Sequence, residues 1–213
     1  MRSTIILISG LSGSGKSTLS EALAATLSDS LGSDCINIIH EDNYYRDQND
    51  KPFEERCEQN YDHPSAFEHE LLLTQLQQLQ AGQSVDMPVY DFCQHTRSDQ
   101  VKTLQPSPII IVEGILLLSQ AKLRDFSDLN IYVDAPIDIC LIRRLERDIH
   151  QRGRDMASVL NQYQATVRPM AEAFILPSRQ HADVVLSGTS KPGRSLALLR
   201  DHLATVVGTQ ASS

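Results

Sequence analysis

Gly10-Leu11-Ser12-Gly13-Ser14-Gly15-Lys16-Ser17, followed by Thr18, is the stretch that decides the fold. It fits the pattern GxxxxGK[ST], and its surroundings are those the pattern requires. Before it, Thr4 to Ser9 is a short apolar, β-branched run; after it, Lys16 to Leu27 carries apolar residues at helical spacing. Strand, loop and helix in that order make a phosphate-binding turn. Glycines let backbone N–H groups turn inward around phosphate oxygens, and the helix N-terminus adds positive potential. Gly10, Ser12, Gly13, Ser14, Gly15, Lys16, Ser17 and Thr18 are therefore the candidate nucleotide-binding residues, with the Lys16 ammonium on the β/γ-phosphates and the Ser17 hydroxyl on magnesium.

Working outward, Cys35 to His40 reads as a second buried strand, and Ile109 to Val112, Leu129 to Val133 and Ala182 to Leu186 read as further strands. Helical stretches separate them. One is expected from the capping box Ser65-x-x-Glu68 through Leu71, Leu72, Leu76 and Leu79 to Gly82, and another from Pro136 to about Ile149. Repeated βα units imply a five-stranded parallel sheet covered by helices on both faces, an α/β three-layer P-loop kinase fold with its chemistry at the carboxyl ends of the strands. Val85 to Arg97 mixes Pro88 with Val89, Tyr90 and Phe92, which suits a short irregular hairpin or edge segment better than a core strand, and it is taken as a hairpin insertion, 85–101, on the substrate side. No repeat or linker divides the chain, so residues 1–213 are expected to form one domain, with 208–213 a loose tail.

The bulk numbers narrow the field. A chain of 213 residues with 41% hydrophobic and 22% charged residues suits a compact globular domain. A net charge of −8 opposes the attraction to a phosphate backbone, so polymeric nucleic acid is not an expected partner. The only apolar run near the N-terminus, Ile5 to Ile8, is too short for a signal peptide or a span, and cytoplasmic residence without membrane association is expected. Cys35, Cys57, Cys93 and Cys140 lack any metal-binding spacing.

Carboxylates stand where phosphoryl transfer needs them. Glu113 directly follows the Ile109 to Val112 strand, a position suited to the magnesium shell, although many P-loop proteins carry Asp there. Asp42 lies just past the second strand, placed to accept a proton from an incoming hydroxyl; a turn aspartate is the competing explanation. Tyr44, Tyr45 and Arg46 follow it at once, and aromatic residues are only 5% of the chain, so this loop reads as a binding surface. Arg143, Arg144, Arg147, Arg152 and Arg154, against Glu146 and Asp148, form a basic patch in an acidic chain. That suits a lid at about 147–155 closing over phosphates, with a solvated helix face as the rival reading, strongest for Arg143.

GLSGSGKST, HEDNYYRDQ, NYDHPSAFEHELLL, MPVYDFCQHTR, VEGILLL, RRLERDIHQRGRD and QYQATVRPMAEAF occur in one order, and together they resemble the uridine-cytidine kinase family over roughly residues 5 to 186. The resemblance implies a homotetramer that transfers a phosphoryl group from ATP or GTP, with magnesium, to the 5'-hydroxyl of uridine or cytidine in pyrimidine salvage. It implies Asp42 as general base, with Ser17, Asp42 and Glu113 at the metal. Asp62 would hold the ribose hydroxyls, while Tyr90 and His95 would read the pyrimidine edge between walls that include Tyr45 and Phe92. Arg144, Arg154 and Gln162 would make further nucleoside contacts, and Arg147 and Arg152 would close on the triphosphate as catalytic arginines. The chain departs from the family at Ser187-Gly188-Thr189-Ser190, where a Pro-Arg-Gly-like turn is common, which leaves the choice between ATP and GTP open. A kinase resembling phosphoribulokinase or pantothenate kinase would share the phosphate loop but not the PVYDF-x-x-H segment. A nucleotide-sensing module is the alternative outside small-molecule kinases, and no NKxD-type guanine signature supports it.

Overall fold

A computed structural model of the chain describes residues 2–190 and 193–211. Strand β1, Thr4–Ser9, is buried along its whole length because it lies at the centre of a five-stranded parallel sheet. Helix α1, Lys16–Leu31, follows the phosphate loop. Strand β2, Ile36–His40, is an edge strand with only Ile39 fully buried, not the buried strand expected from its apolar run. A 3₁₀ turn, Glu41–Tyr44, and a short helix α2, Phe53–Glu58, lead to helix α3, His69–Gln80.

The expected capping box at Ser65 is not formed. Pro64–Ala66 makes its own 3₁₀ turn, the Ser65 N–H is taken by the His63 side chain, and α3 starts after Glu68 without a side-chain cap. Proline at the head of that turn fixes φ and ends the preceding extended segment, so the helix begins three residues later than the motif suggests, with Glu68 rather than Ser65 at the N-cap.

Strands β3, Val85–Asp91, and β4, Thr96–Leu104, pair as an antiparallel hairpin in a separate two-stranded sheet. The hairpin extends to Leu104, past the expected end at 101, and its register shifts between Pro88 and Tyr90, since proline cannot donate to the ladder. Strand β5, Ile109–Gly114, returns to the main sheet, followed by α4, Ala121–Phe126, β6, Leu129–Asp134, and α5, Ile137–His150. Residues 156–178 then form one long helix, α6, with π-helical stretches at Tyr163–Val167 and Ala171–Ile175. Each stretch precedes a proline, Pro169 or Pro177, whose missing N–H and ring clash break the regular hydrogen-bond ladder. Strand β7, Val184–Ser187, closes the sheet, and α7 runs over Gly193–Ala211. Helix α7 therefore continues through 208–211, where a loose tail was expected; Ser212 and Ser213 lie outside the described residues.

The strand order is β2-β5-β1-β6-β7. Alternation along the strands feeds two cores. Ile5, Leu7, Ile110 and Val112 pack on one face with Leu72, Leu76 and Leu79 of α3, and Ile6, Ile8, Ile109 and Ile111 on the other with Leu19, Leu23 and Leu27 of α1 and Leu199 and Leu203 of α7. In register, His40 of β2 stands opposite Glu113 of β5, and Ser9 of β1 opposite Gly114. The strand ends therefore meet in one row.

Gly114 is where that row is tightest, because a Cβ there would collide with the side chain of Glu41. Gly114→Ala is expected to destabilise the protein by about 1–3 kcal/mol through overpacking, read as a lower midpoint in denaturant titration.

Candidate functional site

Beyond β1 the chain has to turn back on itself within a few residues, and Gly13 makes this possible. Its φ is +84°, and a Cβ there would strike the carbonyl oxygen of Cys140 on α5. The loop and α5 thus touch backbone to backbone. Arg143 ties this corner together by donating to the carbonyls of Gly13, at 3.3 Å, and Gly188, at 2.9 Å. Its place is a brace between the phosphate loop and the segment after β7, not the free helix face of the rival reading. The cleft at this corner is lined by Gly13, Gly15, Lys16, Ser17 and Thr18 together with Arg147, Gln151 and Ser187 to Gly188. Lys16 is 8% exposed, and its ammonium donates to the Leu11 carbonyl at 3.4 Å.

The Ser17 hydroxyl donates to Glu113 Oε1 at 3.1 Å, and His40 Nδ1 lies 2.7 Å from the same oxygen. Burial pushes the Glu113 carboxyl up, but the His40 hydrogen bond, Lys16 and Ser17 hold it below the ordinary value. A buried carboxylate kept ionised beside a hydroxyl is a hard oxygen donor set, which suits magnesium. No cage of three or more His, Cys, Asp and Glu side chains occurs among the described residues.

Asp42 sits on the 3₁₀ turn after β2. Its carboxyl is pushed up to about 6, first by burial and then by the neighbouring charges of Glu41 and Glu113, against the pull of Lys16 and Arg152. The chain therefore brings Asp42, Lys16, Glu113 and Arg152 within electrostatic reach of one another. Glu41, fully buried, holds the turn in place: its Oε2 accepts from the Leu116 N–H at 2.9 Å and its Oε1 lies 2.8 Å from His69 Nε2. Sequence reasoning missed Glu41, whose only signal was its place beside Asp42.

On the other side of the turn is an aromatic cluster. Tyr45 stacks on Phe67 at 4.2 Å and meets the edge of Tyr61 at 5.2 Å and the tilted ring of Tyr90 at 5.0 Å. Tyr61 stacks on His95 at 5.5 Å, and its hydroxyl accepts from Gln48 Nε2 and donates to the Arg56 carbonyl. Among the described residues His95 is the non-glycine one with positive φ, +52°, at the turn of the hairpin, and burial together with Arg154 keeps its imidazole below the usual range. A neutral ring can both donate and accept. Phe92 stands half-exposed at the rim beside Tyr90. Tyr61, absent from the expected set, is as central to the cluster as Tyr90.

Asp62, 7% exposed, faces Arg144; burial raises its carboxyl and Arg144 opposes the rise. Arg144 and Arg154 both donate to Gln162 Oε1, at 3.1 and 2.7 Å. Arg147 instead reaches the phosphate loop, its Nη2 lying 3.4 Å from Ser12 Oγ. All these arginines turn toward one acid, Asp148, which was read from sequence only as a counter-charge on the helix.

Comparison with known proteins agrees with this geometry. Residues 5–192 match the model of the Phosphoribulokinase / Uridine kinase family. The chain is 48% identical over 200 residues to the uridine kinase of Escherichia coli strain K12, covering 94% of each, and 46% identical over 204 residues to that of Pasteurella multocida strain Pm70, covering 96% of this chain and 94% of the relative. Among solved structures it resembles one titled "putative fructose transport system kinase" from Silicibacter sp. TM1040, with a TM-score of 0.68, 26% identity, and coverage of 86% of this chain and 89% of that one.

The His40–Glu113 contact yields a pH test. The hydrogen bond to Glu113 raises His40 above 6.5, so its contribution is full below that value and fades as pH rises through the folded pKa. The depressed Glu113 contributes above its ordinary 4.5 and loses this as pH falls through its own folded pKa. In the ligand-free protein, the thermal-melt advantage of wild type over His40→Gln should peak between about pH 5 and 6 and shrink by about pH 9. With His40 half-exposed the peak should be about 1 kcal/mol or less.

Proposed function

The chain belongs to the phosphoribulokinase / uridine kinase family, and we propose that it is a nucleoside kinase moving the γ-phosphoryl group of ATP or GTP to the 5'-hydroxyl of uridine or cytidine. The observation that carries this reading is the single row of strand ends. There Asp42 is within electrostatic reach of Lys16, Glu113 and Arg152, assigned here to the phosphate side, and of Tyr45 and Tyr90, assigned with Asp62, Arg144 and Gln162 to the sugar-and-base side. The uridine kinase relatives favour a nucleoside acceptor over a phosphoribulokinase-like or pantothenate kinase-like one, and over a sensing module.

In the reaction, Asp42 takes the proton of the 5'-hydroxyl as its oxygen bonds to the γ-phosphorus and the bond to the β,γ-bridging oxygen breaks, leaving the diphosphate and UMP or CMP. A carboxyl raised to about 6 is a suitable base near neutral pH, ionised yet more basic than an ordinary aspartate. Lys16, Arg147 and Arg152 stabilise the charge gathering on the transferred group. Ser17 and Glu113, with Asp42 beside them, would hold magnesium, which supplies further neutralisation of the β- and γ-oxygens. Gly10, Ser12, Gly13, Ser14, Gly15 and Thr18 complete the phosphate cradle through their backbone.

Asp62 accepts the ribose hydroxyls, so the enzyme prefers ribose to deoxyribose. Tyr90 and His95 address the pyrimidine edge, with Tyr45 and Phe92 as walls and Arg154 closing the side. We place the reaction in the cytoplasm, in pyrimidine salvage, carried out by a homotetramer. No described helix is long and apolar enough to cross a membrane.

A coupled phosphotransfer assay with uridine, cytidine, their deoxy forms and adenosine, each against ATP and GTP, tests the assignment; turnover of none of the pyrimidine ribonucleosides would overturn it. Asp42→Asn should lower turnover by ~100-fold to 10,000-fold with little change in nucleotide affinity. Asp62→Asn should erode the preference for uridine over deoxyuridine by about 10-fold or more, read as a ratio of kcat/KM values.

A further inference from the structure

Asp148 of α5 is fully buried and faces four guanidinium groups. Arg147 Nε is 2.9 Å from Oδ1 and Arg152 Nη1 3.4 Å from the same oxygen, while Arg144 Nε and Arg154 Nη1 each stand 3.6 Å from Oδ2. Asp148 Oδ2 and Arg144 Nε are both buried without a hydrogen-bond partner. The two arginine pairs differ in what else they reach. Arg147 touches Ser12 of the phosphate loop and Arg152 acts on Asp42, whereas Arg144 and Arg154 share Gln162 and Arg144 acts on Asp62. One negative charge thus stands between two pairs of cations, one pair facing each ligand.

We propose that Asp148 is a positioning residue that couples occupancy of the triphosphate side to occupancy of the nucleoside side, by dividing its attraction between the two arginine pairs. The inference rests on the nucleoside kinase reading given above. A polyphosphate carries several charges and offers bidentate oxygens, so it outcompetes a single carboxylate for Arg147 and Arg152. Asp148 cannot remain buried with its charge uncompensated. Its remaining partners, Arg144 and Arg154, lie just beyond hydrogen-bond distance of the unpartnered Oδ2, and in a dry site their attraction to it is strong. Closing that gap fixes both forks around Gln162 and beside Asp62 before the nucleoside arrives, which lowers the ordering cost of binding it. Linkage makes the effect reciprocal.

The test is calorimetric titration of the full chain with uridine, alone and in the presence of magnesium and saturating β,γ-methylene analogues of ATP and of GTP. In the wild type an analogue should tighten uridine binding about 5-fold or more, within the usual range of coupling between sites. In Asp148→Asn the ratio should fall to within about 2-fold of unity, because the amide cannot serve as the shared counter-charge. A merely structural role would weaken both ligands and leave the ratio intact. Should circular dichroism show Asp148→Asn unfolded, Asp148→Glu, which keeps the charge but displaces it by a methylene, should give a ratio clearly below wild type. A wild-type ratio near one, or a variant ratio equal to that of wild type, overturns the coupling while leaving the kinase reading intact. Failure of the wild type to bind uridine at all would overturn that reading, and the coupling with it.

Discussion

The parallel register of β2, β5 and β1 is the constraint from which the site follows. Because His40 pairs with Glu113 and Ser9 with Gly114, three consecutive strands stop at the same level, and whatever their loops carry is delivered to one place. The phosphate loop comes from β1, the Glu113 carboxylate from β5 and the Asp42 turn from β2. A slip of one residue in β5 would exchange its two faces, burying Glu113 in the wrong layer. The dense apolar packing on both faces of the sheet prevents such a slip, so the chemistry depends on isoleucines that never approach a substrate.

Charge at this level is concentrated and dry. Glu41, Glu113 and Asp42 lie together, and like charges at close quarters would normally force protonation. The chain separates their roles by giving each a different partner. Glu41 has a backbone N–H and His69, Glu113 has His40, Ser17 and Lys16, which hold it below its ordinary value, and Asp42 is raised by burial, with no hydrogen bond or ion pair to its carboxylate among the described residues. An unpartnered carboxylate in such company is the group most ready to take a proton.

Much of this was legible in the sequence. The strand-loop-helix at Lys16, the parallel sheet and the hairpin all follow from local pattern, because glycine chemistry and apolar periodicity act over a few residues. Glu113 and Asp42 come forward as candidates from their places after strands, and for Asp42 the adjoining Tyr44, Tyr45 and Arg46 add to what position gives. What the sequence withheld depends on long-range packing. Glu41 looks like any polar neighbour until Leu116 and His69 fold onto it. Asp148 is a local case instead: its four arginines lie within six residues, and they reach it because the chain bends back after α5, with the Arg154 N–H on the Asp148 carbonyl. Ser65 misled for a local reason, since a proline-headed turn used its N–H before a helix could. Tyr61 gave no warning, because its role is set by Gln48 and His95, which are distant in the chain.

The β3–β4 hairpin forms its own small sheet and meets the rest of the molecule mainly through side chains, among them Arg97, which pairs with Glu68 at 2.7 Å and donates to the Tyr44 carbonyl. Its strands share no ladder with the five that hold the phosphate loop. Inheritance can therefore act on the two at different speeds: with Tyr90, Phe92 and His95 on the acceptor side, as proposed, drift in the hairpin can try new acceptors one side chain at a time, while the engine of transfer is passed on unaltered. A lineage built in this way can diversify its diet without ever giving up its catalytic machinery.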